Sequence, residues 1–109
     1  MNKDSIEDWV RENISPSERK EVLEHGCVSG CVPDLIYYRD TCAFYEKYQE
    51  EIWDKLENTR VDMGLDSILH LVASFNGHVG SDDQFRNLLA WWAVEETCYQ
   101  LQEKEEEAA

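Results

Sequence analysis

The sequence has little positive charge, few residues that interrupt a helix and no long hydrophobic run. Its 109 residues include 10 Lys and Arg against 24 Asp and Glu, which gives a formal net charge of −14. A chain this acidic is unsuited to direct contact with nucleic-acid phosphates or an anionic membrane, so any partner is expected to be basic. No apolar stretch approaches the roughly 18 residues that a membrane-spanning helix requires. With two prolines and five glycines in all, the chain has no flexible linker, and one domain is expected.

The motifs of several enzyme classes are also missing. There is no phosphate-binding glycine loop, no G-x-G-x-x-G and no H-E-x-x-H, so nucleotide-dependent and zinc-protease mechanisms have no support in the sequence. Residues 26–30 resemble a nucleophile elbow only superficially, because the serine is fourth in the run instead of third and no strand precedes it. We therefore predict a protein that is not an enzyme and has no cofactor.

The cysteines are few and poorly spaced for a metal site. The N-terminus shows no apolar signal segment, so a cytoplasmic protein with four reduced thiols is expected. Cys27 and Cys31, with His25 upstream, are candidate metal ligands whose spacing lies only within the loosest range for structural zinc, and His70 and His78 are further donors. A second close pair is lacking, which favours buried thiols and no metal. A metal- or small-ligand-binding module centred on residues 26–33 is kept as an alternative function.

What the sequence does contain is a series of helix signals. Asp4 or Ser5 can cap a first helix carrying Ile6, Trp9 and Val10 at helical spacing and ending near Asn13. The runs Ser-Pro-Ser-Glu at 15–18 and Ser-Asp-Asp-Gln at 81–84 have the form of capping boxes, so they predict the starts of a second and a fifth helix.

Two further helices are predicted between these starts. A long one follows Asp40 or Thr41 and ends at Gly64. Asp66 caps the next, which is apolar almost all round and is expected to be the buried central helix, ending at Asn76-Gly77. The prediction is an all-α fold, a compact bundle of about five helices, two of them long. Residues 1–102 form the single helical domain and 103–109 a frayed acidic tail.

The acidic residues concentrate on the two long helices. Residues 40–63 carry seven acids and three bases, and residues 81–109 carry eight and two. Like charges at helical spacing cost an isolated helix about 0.2–0.5 kcal/mol per pair, so these acids do not serve helix stability. Carboxylates about 6 Å apart along a helix are spaced comparably to phosphates on a nucleic-acid strand. The alternative is a solvated face that only keeps the protein soluble. The candidate partner-binding acids are Glu46, Glu50, Asp54 and Glu57, extended by Glu95, Glu96 and Glu103.

Aromatic residues provide a second candidate surface. Trp91 and Trp92 are adjacent and diverge by about 100° around a helix, so one can face the core while the other lies at its margin. Filling the core is the favoured role, although partner interfaces are rich in tryptophan. Trp91 is added to the candidate partner-binding residues on this ground.

Four segments carry a resemblance to a known family. They are Gly-Cys-Val-Ser-Gly-Cys at 26–31, Leu-Ile-Tyr-Tyr-Arg-Asp-Thr at 35–41, Ala-Phe-Tyr at 43–45 and Asn-Leu-Leu-Ala-Trp-Trp-Ala-Val-Glu-Glu at 87–96. Over about residues 20–101 the chain resembles a family of small phage-encoded domains of uncharacterised function. The resemblance implies a viral or mobile-element origin and supplies no residue roles. Small size and acidity also make the chain similar to anti-CRISPR and anti-restriction proteins that mimic DNA.

These observations predict a phage counter-defence inhibitor acting in the host cytoplasm. Its partner is expected to be a host protein or ribonucleoprotein with a basic groove, with no direct nucleic-acid or membrane contact. A phage assembly or scaffold protein that forms a homodimer through exposed aromatics is kept as another alternative.

Overall fold

The computed structural model describes residues 5–25, 38–73 and 80–108. Within these ranges there are five helices and no strand, which confirms the predicted all-α bundle with two long helices. The helices are α1 (Ile6–Asn13), α2 (Pro16–His25), α3 (Tyr38–Met63), α4 (Ile68–Ala73) and α5 (Asp82–Ala108). The candidate ligand-binding segment at 26–33 and the predicted helix end at Asn76-Gly77 lie outside the described residues.

The predicted serine caps begin three of these helices. Ser5 Oγ accepts a hydrogen bond from the Asp8 N–H at 3.2 Å. Ser15 and Glu18 form the reciprocal capping box, with Ser15 Oγ 3.3 Å from the Glu18 nitrogen and the Glu18 carboxylate 3.0 Å from the Ser15 nitrogen. The backbone N–H of Ser15 lowers the pKa of Glu18 by this contact. These bonds satisfy helix N–H groups that have no partner within the helix.

The cap of α5 departs slightly from the predicted box. Ser81 Oγ accepts from the Gln84 N–H at 3.2 Å, as predicted. The Gln84 side chain, however, accepts from the Gly80 N–H at 2.6 Å, one residue before the cap. The helix start is the one that the sequence indicates, with the reciprocal bond displaced by one residue.

The central helix is α5, and the prediction that the fourth helix would be central is wrong. Helix α5 packs against α1, α2 and α3, and it buries Leu89, Ala90, Ala93, Val94 and Leu101 completely. In α4, Leu71 is buried but Leu69 is 75% exposed, and the helix packs mainly on α3. Ile68 and Val72 of this six-residue helix are half-buried against the core, and Leu69 lies on its outward side. Its cap is also Ser67, whose Oγ lies 3.4 Å from the His70 nitrogen, instead of the expected Asp66.

Helix α3 is long but bent. It begins at Tyr38, two residues before the expected start, and ends at Met63. The next residue, Gly64, has a φ of +69°, the left-handed stop that glycine permits. Tyr48 has φ −113° and ψ 17°, which are not helical values, and the helix axis is kinked there. The bend divides α3 into a first part, 38–47, and a second part, 49–63.

Contacts near the helix ends define how α1 and α5 lie on α3. The Ile6 N–H donates to Glu51 Oε1 at 3.0 Å, and the Trp9 ring packs against Phe44, so α1 is antiparallel to α3. Cys42 lies against Asp83 and Lys55 against Gln100, so α3 and α5 run in the same general direction. Helix α5 continues through 103 to Ala108, with the Lys104 ammonium 3.0 Å from the Glu7 carboxylate. The predicted separation into a domain at 1–102 and a frayed tail at 103–109 stays a prediction.

Candidate functional site

The four acids predicted along α3 lie on the side of the helix that faces away from the core. Phe44, Tyr48, Ile52 and Leu56 recur every four residues and form its buried side. The acids fall about half a turn from this buried row, and all four are exposed. We call the set the α3 acidic face: Glu46, Glu50, Asp54 and Glu57.

The members of the α3 acidic face differ in whether they are paired. Glu57 accepts two hydrogen bonds from the Arg60 guanidinium, one of them at 3.0 Å, and this contact lowers the pKa of Glu57 while raising that of Arg60. Glu46, Glu50 and Asp54 make no hydrogen bond or ion pair within the described part of the chain. Within the α3 acidic face, these three carboxylates are the ones that no described residue pairs.

The kink at Tyr48 interrupts this face. Glu46 belongs to the first part of α3, whereas Glu50 and Asp54 belong to the second. From Glu50 onward the helix is regular, so Glu50 and Asp54 rise by about 6 Å along one side. The straight row of carboxylates is therefore shorter than the spacing in the sequence predicts.

The acids of α5 do not form one surface. Glu95 is half-buried, and burial raises the pKa of its carboxyl, with a further rise from the charge of Glu96. Glu96 is adjacent and so points about 100° away from Glu95 around the helix. Glu103 is exposed and lies seven residues after Glu96, on the same side of α5. The predicted extension of the acidic field is thus divided between two sides of the helix.

Trp91 is not a freely exposed anchor. Both Trp91 and its neighbour Trp92 are half-buried and pack against the hydrophobic core. Tyr99, on α5, is 51% exposed, and the large exposed aliphatic side chains Val61, Met63 and Leu69 lie at the junction of α3 and α4. The arrangement matches the core-filling interpretation of Trp91, and its role in partner binding stays a prediction.

The candidate metal ligands are not brought together in the described structure. His25 ends α2 and is exposed, His70 is exposed on α4, and Cys27, Cys31 and His78 lie outside the described residues. Among residues 5–25, 38–73 and 80–108 no group of three or more His, Cys, Asp or Glu side chains is placed to hold a metal ion.

The two described cysteines are held as thiols. Cys42 donates to the Asp83 carboxylate at 3.7 Å, and burial together with that carboxylate raises its pKa. Cys98 is fully buried, which raises its pKa to about 11. Both thiols are therefore protonated at neutral pH and unsuited to nucleophilic attack.

Sequence reasoning missed a groove between α1 and the first part of α3. Its lining includes the aromatic rings Phe44 and Tyr48, already assigned to the core, together with charged residues two turns apart on α3. We call it the α1–α3 groove, with Trp9, Asn13, Asp40, Phe44, Lys47 and Tyr48 as its principal lining. The i, i+7 spacing of Asp40 and Lys47 places both on one side of α3, which the sequence shows. That α1 closes a groove over this side is visible only in the structure.

The fold and the surface together define an acidic, all-α domain. None of the described helices combines the length and the apolar character needed to cross a membrane. Residues 3–107 match the family described as Domain of unknown function (DUF7222), and the chain therefore belongs to that family. No curated protein and no solved structure gives a significant match.

Proposed function

We propose that the chain is a non-enzymatic phage counter-defence inhibitor, of the anti-CRISPR or anti-restriction type. In this proposal it binds a basic nucleic-acid-binding surface of a host defence complex and occupies the place of nucleic acid. The resemblance to small phage-encoded domains supports a phage origin, and the charge of −14 supports a basic partner.

The observation that carries the proposal is the exposed, unpaired state of Glu50 and Asp54 on the α3 acidic face. Both carboxylates point away from the buried row of α3 and make no hydrogen bond or ion pair within the described residues. Carboxylates that serve helix stability are usually paired with a base three or four residues away, as Glu57 is with Arg60. In the described part of the chain Glu50 and Asp54 form no such pair, although Lys47 stands three residues before Glu50.

A rigid helix favours this kind of mimicry. Side chains on a folded scaffold lose less freedom on binding than those of a disordered acidic segment, so more of the attraction is retained as affinity. The acids of the α3 acidic face lie on a helix anchored to the core by Ile52 and Leu56. The net charge adds long-range attraction that accelerates encounter with a basic groove and weakens as salt rises.

The experiment reverses the two carboxylates. The wild-type chain and the variant E50K/D54K are used to capture partners from a host lysate, and each captured complex is tested for displacement of labelled DNA or RNA. We expect capture of a nucleic-acid-binding complex and displacement of its nucleic acid by the wild type. The double variant should bind about tenfold more weakly or worse at low salt, with a smaller dependence on salt.

The matched control is E21K/E24K, which makes the same change of charge on two exposed acids of α2. Helicity of both variants is checked by circular dichroism. The proposal fails if E50K/D54K binds as tightly as the wild type at low salt. It also fails if both variants lose the same affinity, or if labelled nucleic acid does not compete for the captured partner.

A further inference from the structure

We infer that the α1–α3 groove receives an arginine side chain from the basic surface of a protein partner. The partner itself rests on the proposed function, whereas the affinity of the groove for a guanidinium group can be measured without it. The groove is a cavity of about 270 Å³ between α1 and the first part of α3, so it has several times the volume of one water molecule.

The groove has an aromatic wall that already holds a cation. The Trp9 and Phe44 rings meet edge to face with centroids 5.0 Å apart, and the Phe44 and Tyr48 centroids are 4.8 Å apart. The Lys47 ammonium lies 5.3 Å from the centroid of the Tyr48 ring, within the range of a cation–π contact. The Tyr48 end is thus occupied by Lys47, and because Phe44 and Tyr48 are almost fully buried, the half-buried Trp9 ring is the part of the wall that an incoming cation can contact.

The other end of the groove has acceptors for a second cation. Asp40 is 33% exposed, and its contact is with the Arg39 guanidinium at 3.6 Å. The Arg39 side chain is 84% exposed, so this ion pair is weak and readily exchanged. The Asn13 side-chain N–H donates to the Trp9 carbonyl at 2.8 Å, which leaves the Asn13 amide oxygen as a further acceptor.

These groups favour arginine over lysine. The guanidinium is planar and presents several N–H donors in a fixed fork, which suits a carboxylate and an amide oxygen beside an aromatic ring. Lys47 lies two helical turns, about 10 Å, from Asp40, so it leaves room for an incoming side chain at the Asp40 end. The groove and the α3 acidic face lie on the same helix, and Lys47 of the groove directly follows Glu46 of that face, so one basic surface can contact both.

The test uses the full chain labelled with ¹⁵N and titrated with Nα-acetyl-arginine amide, with the lysine and norleucine amides in parallel. We expect saturable shifts centred on the Trp9 indole N–H and the Asn13 side-chain amide, with millimolar affinity. The arginine amide should bind more tightly than the lysine amide, and the norleucine amide should not bind. The variant D40N should weaken arginine binding about two- to fivefold, the loss expected for a partly exposed ion pair.

The matched control is D62N, the same substitution at an exposed acid of α3 that does not line the groove. It should leave the arginine affinity unchanged. The inference is overturned if the shifts spread over the acidic surfaces and D40N and D62N behave alike. Equal binding of the norleucine or lysine amide also overturns it. Because D40N leaves Glu50 and Asp54 in place, failure here does not affect the capture experiment, and failure of that experiment does not affect this titration.

Discussion

At the scale of single residues, two adjacent glutamates on α3 have different roles. The Glu51 carboxylate accepts a hydrogen bond from the Ile6 N–H at 3.0 Å, so it caps α1 from another helix. Ser5 Oγ accepts from the Asp8 N–H, so Glu51 and Ser5 each satisfy a different N–H group in the first turn of α1. Glu50 makes no such contact within the described residues. Removing the Glu51 side chain should therefore lower the stability of the fold, and removing the Glu50 side chain should not.

We expect Glu51→Ala to lower the free energy of unfolding by about 1 kcal/mol, since it leaves a helix N–H group without its acceptor. Glu50→Ala, one residue away, should change it by less than about 0.5 kcal/mol. Urea denaturation followed by circular dichroism at neutral pH measures both. Equal effects of the two substitutions would show that the contact between Glu51 and Ile6 contributes nothing.

Glu95 should make stability depend on pH with an unusual sign. Burial raises the pKa of this carboxyl above the ordinary value of 4.5, so the folded chain binds the proton more tightly than the unfolded chain does. Stability from this group is present at low pH and is lost as pH rises from the unfolded pKa through the folded one. Glu95→Gln should therefore be more stable than the wild type near pH 7, and the advantage should diminish toward about pH 4.

Glu7 provides the opposite case for the same measurement. The hydrogen bond from Lys104 lowers the pKa of Glu7, so its contribution is present at neutral pH and is lost as pH falls through the folded pKa. Glu7→Gln should thus be less stable than the wild type at neutral pH. Denaturation curves over this pH range should show the two variants diverging as pH rises. Parallel curves would contradict both assignments.

At the scale of elements, burial distinguishes α5 from α4. Leu89 is completely buried on α5, whereas Leu69 on α4 is 75% exposed. Alanine at 90 and 93 allows neighbouring helices to approach α5 closely, which is how a helix comes to pack against three others. The core of the described residues is built around α5.

Leu89→Ala should lower the free energy of unfolding by about 3 kcal/mol, because it leaves a cavity in the core. Leu69→Ala removes the same atoms from a side chain in solvent and should cost less than about 0.5 kcal/mol. Chemical denaturation of the two variants is the measurement. A larger loss of stability for L69A than for L89A would show that α4, and not α5, is the central helix.

The sequence predicted what depends on residues close together in the chain. The serine caps at 5, 15 and 81 and the stop at Gly64 act within three or four residues, and the structure confirms each of them. The bond between Ile6 and Glu51 joins residues 45 positions apart, so no local pattern could show it. The kink at Tyr48 occurs in a helix without proline or glycine, the residues that usually announce one. For the candidate site, periodicity identified exposed acids but not which of them are paired.

At the scale of the whole molecule, the excess of negative charge opposes folding. A chain of charge −14 repels itself when compact, and few of the described acids are paired with a base. The described ion pairs are mostly exposed, so they offset little of this repulsion. Salt should consequently affect the stability of the entire fold as well as any binding.

We expect the melting temperature to rise by several degrees between about 20 mM and about 200 mM sodium chloride, as the Debye length falls and repulsion is screened. The E50K/D54K variant carries less negative charge and should gain less. Scanning calorimetry across the salt series measures this. A melting temperature that is constant or falls with salt would show that repulsion does not limit stability.

The bend in α3 also determines what a single partner can contact at once. The residues of α3 that line the α1–α3 groove come before Tyr48 or are Tyr48 itself, and the unpaired acids Glu50 and Asp54 come after it. The non-helical φ and ψ of Tyr48 therefore set the distance and angle between the two surfaces. A partner that touches both surfaces must match that angle, whereas a partner attracted by charge alone need not. Because of the bend, a partner must match the molecule in shape as well as in charge, and a polycation of arbitrary shape does not.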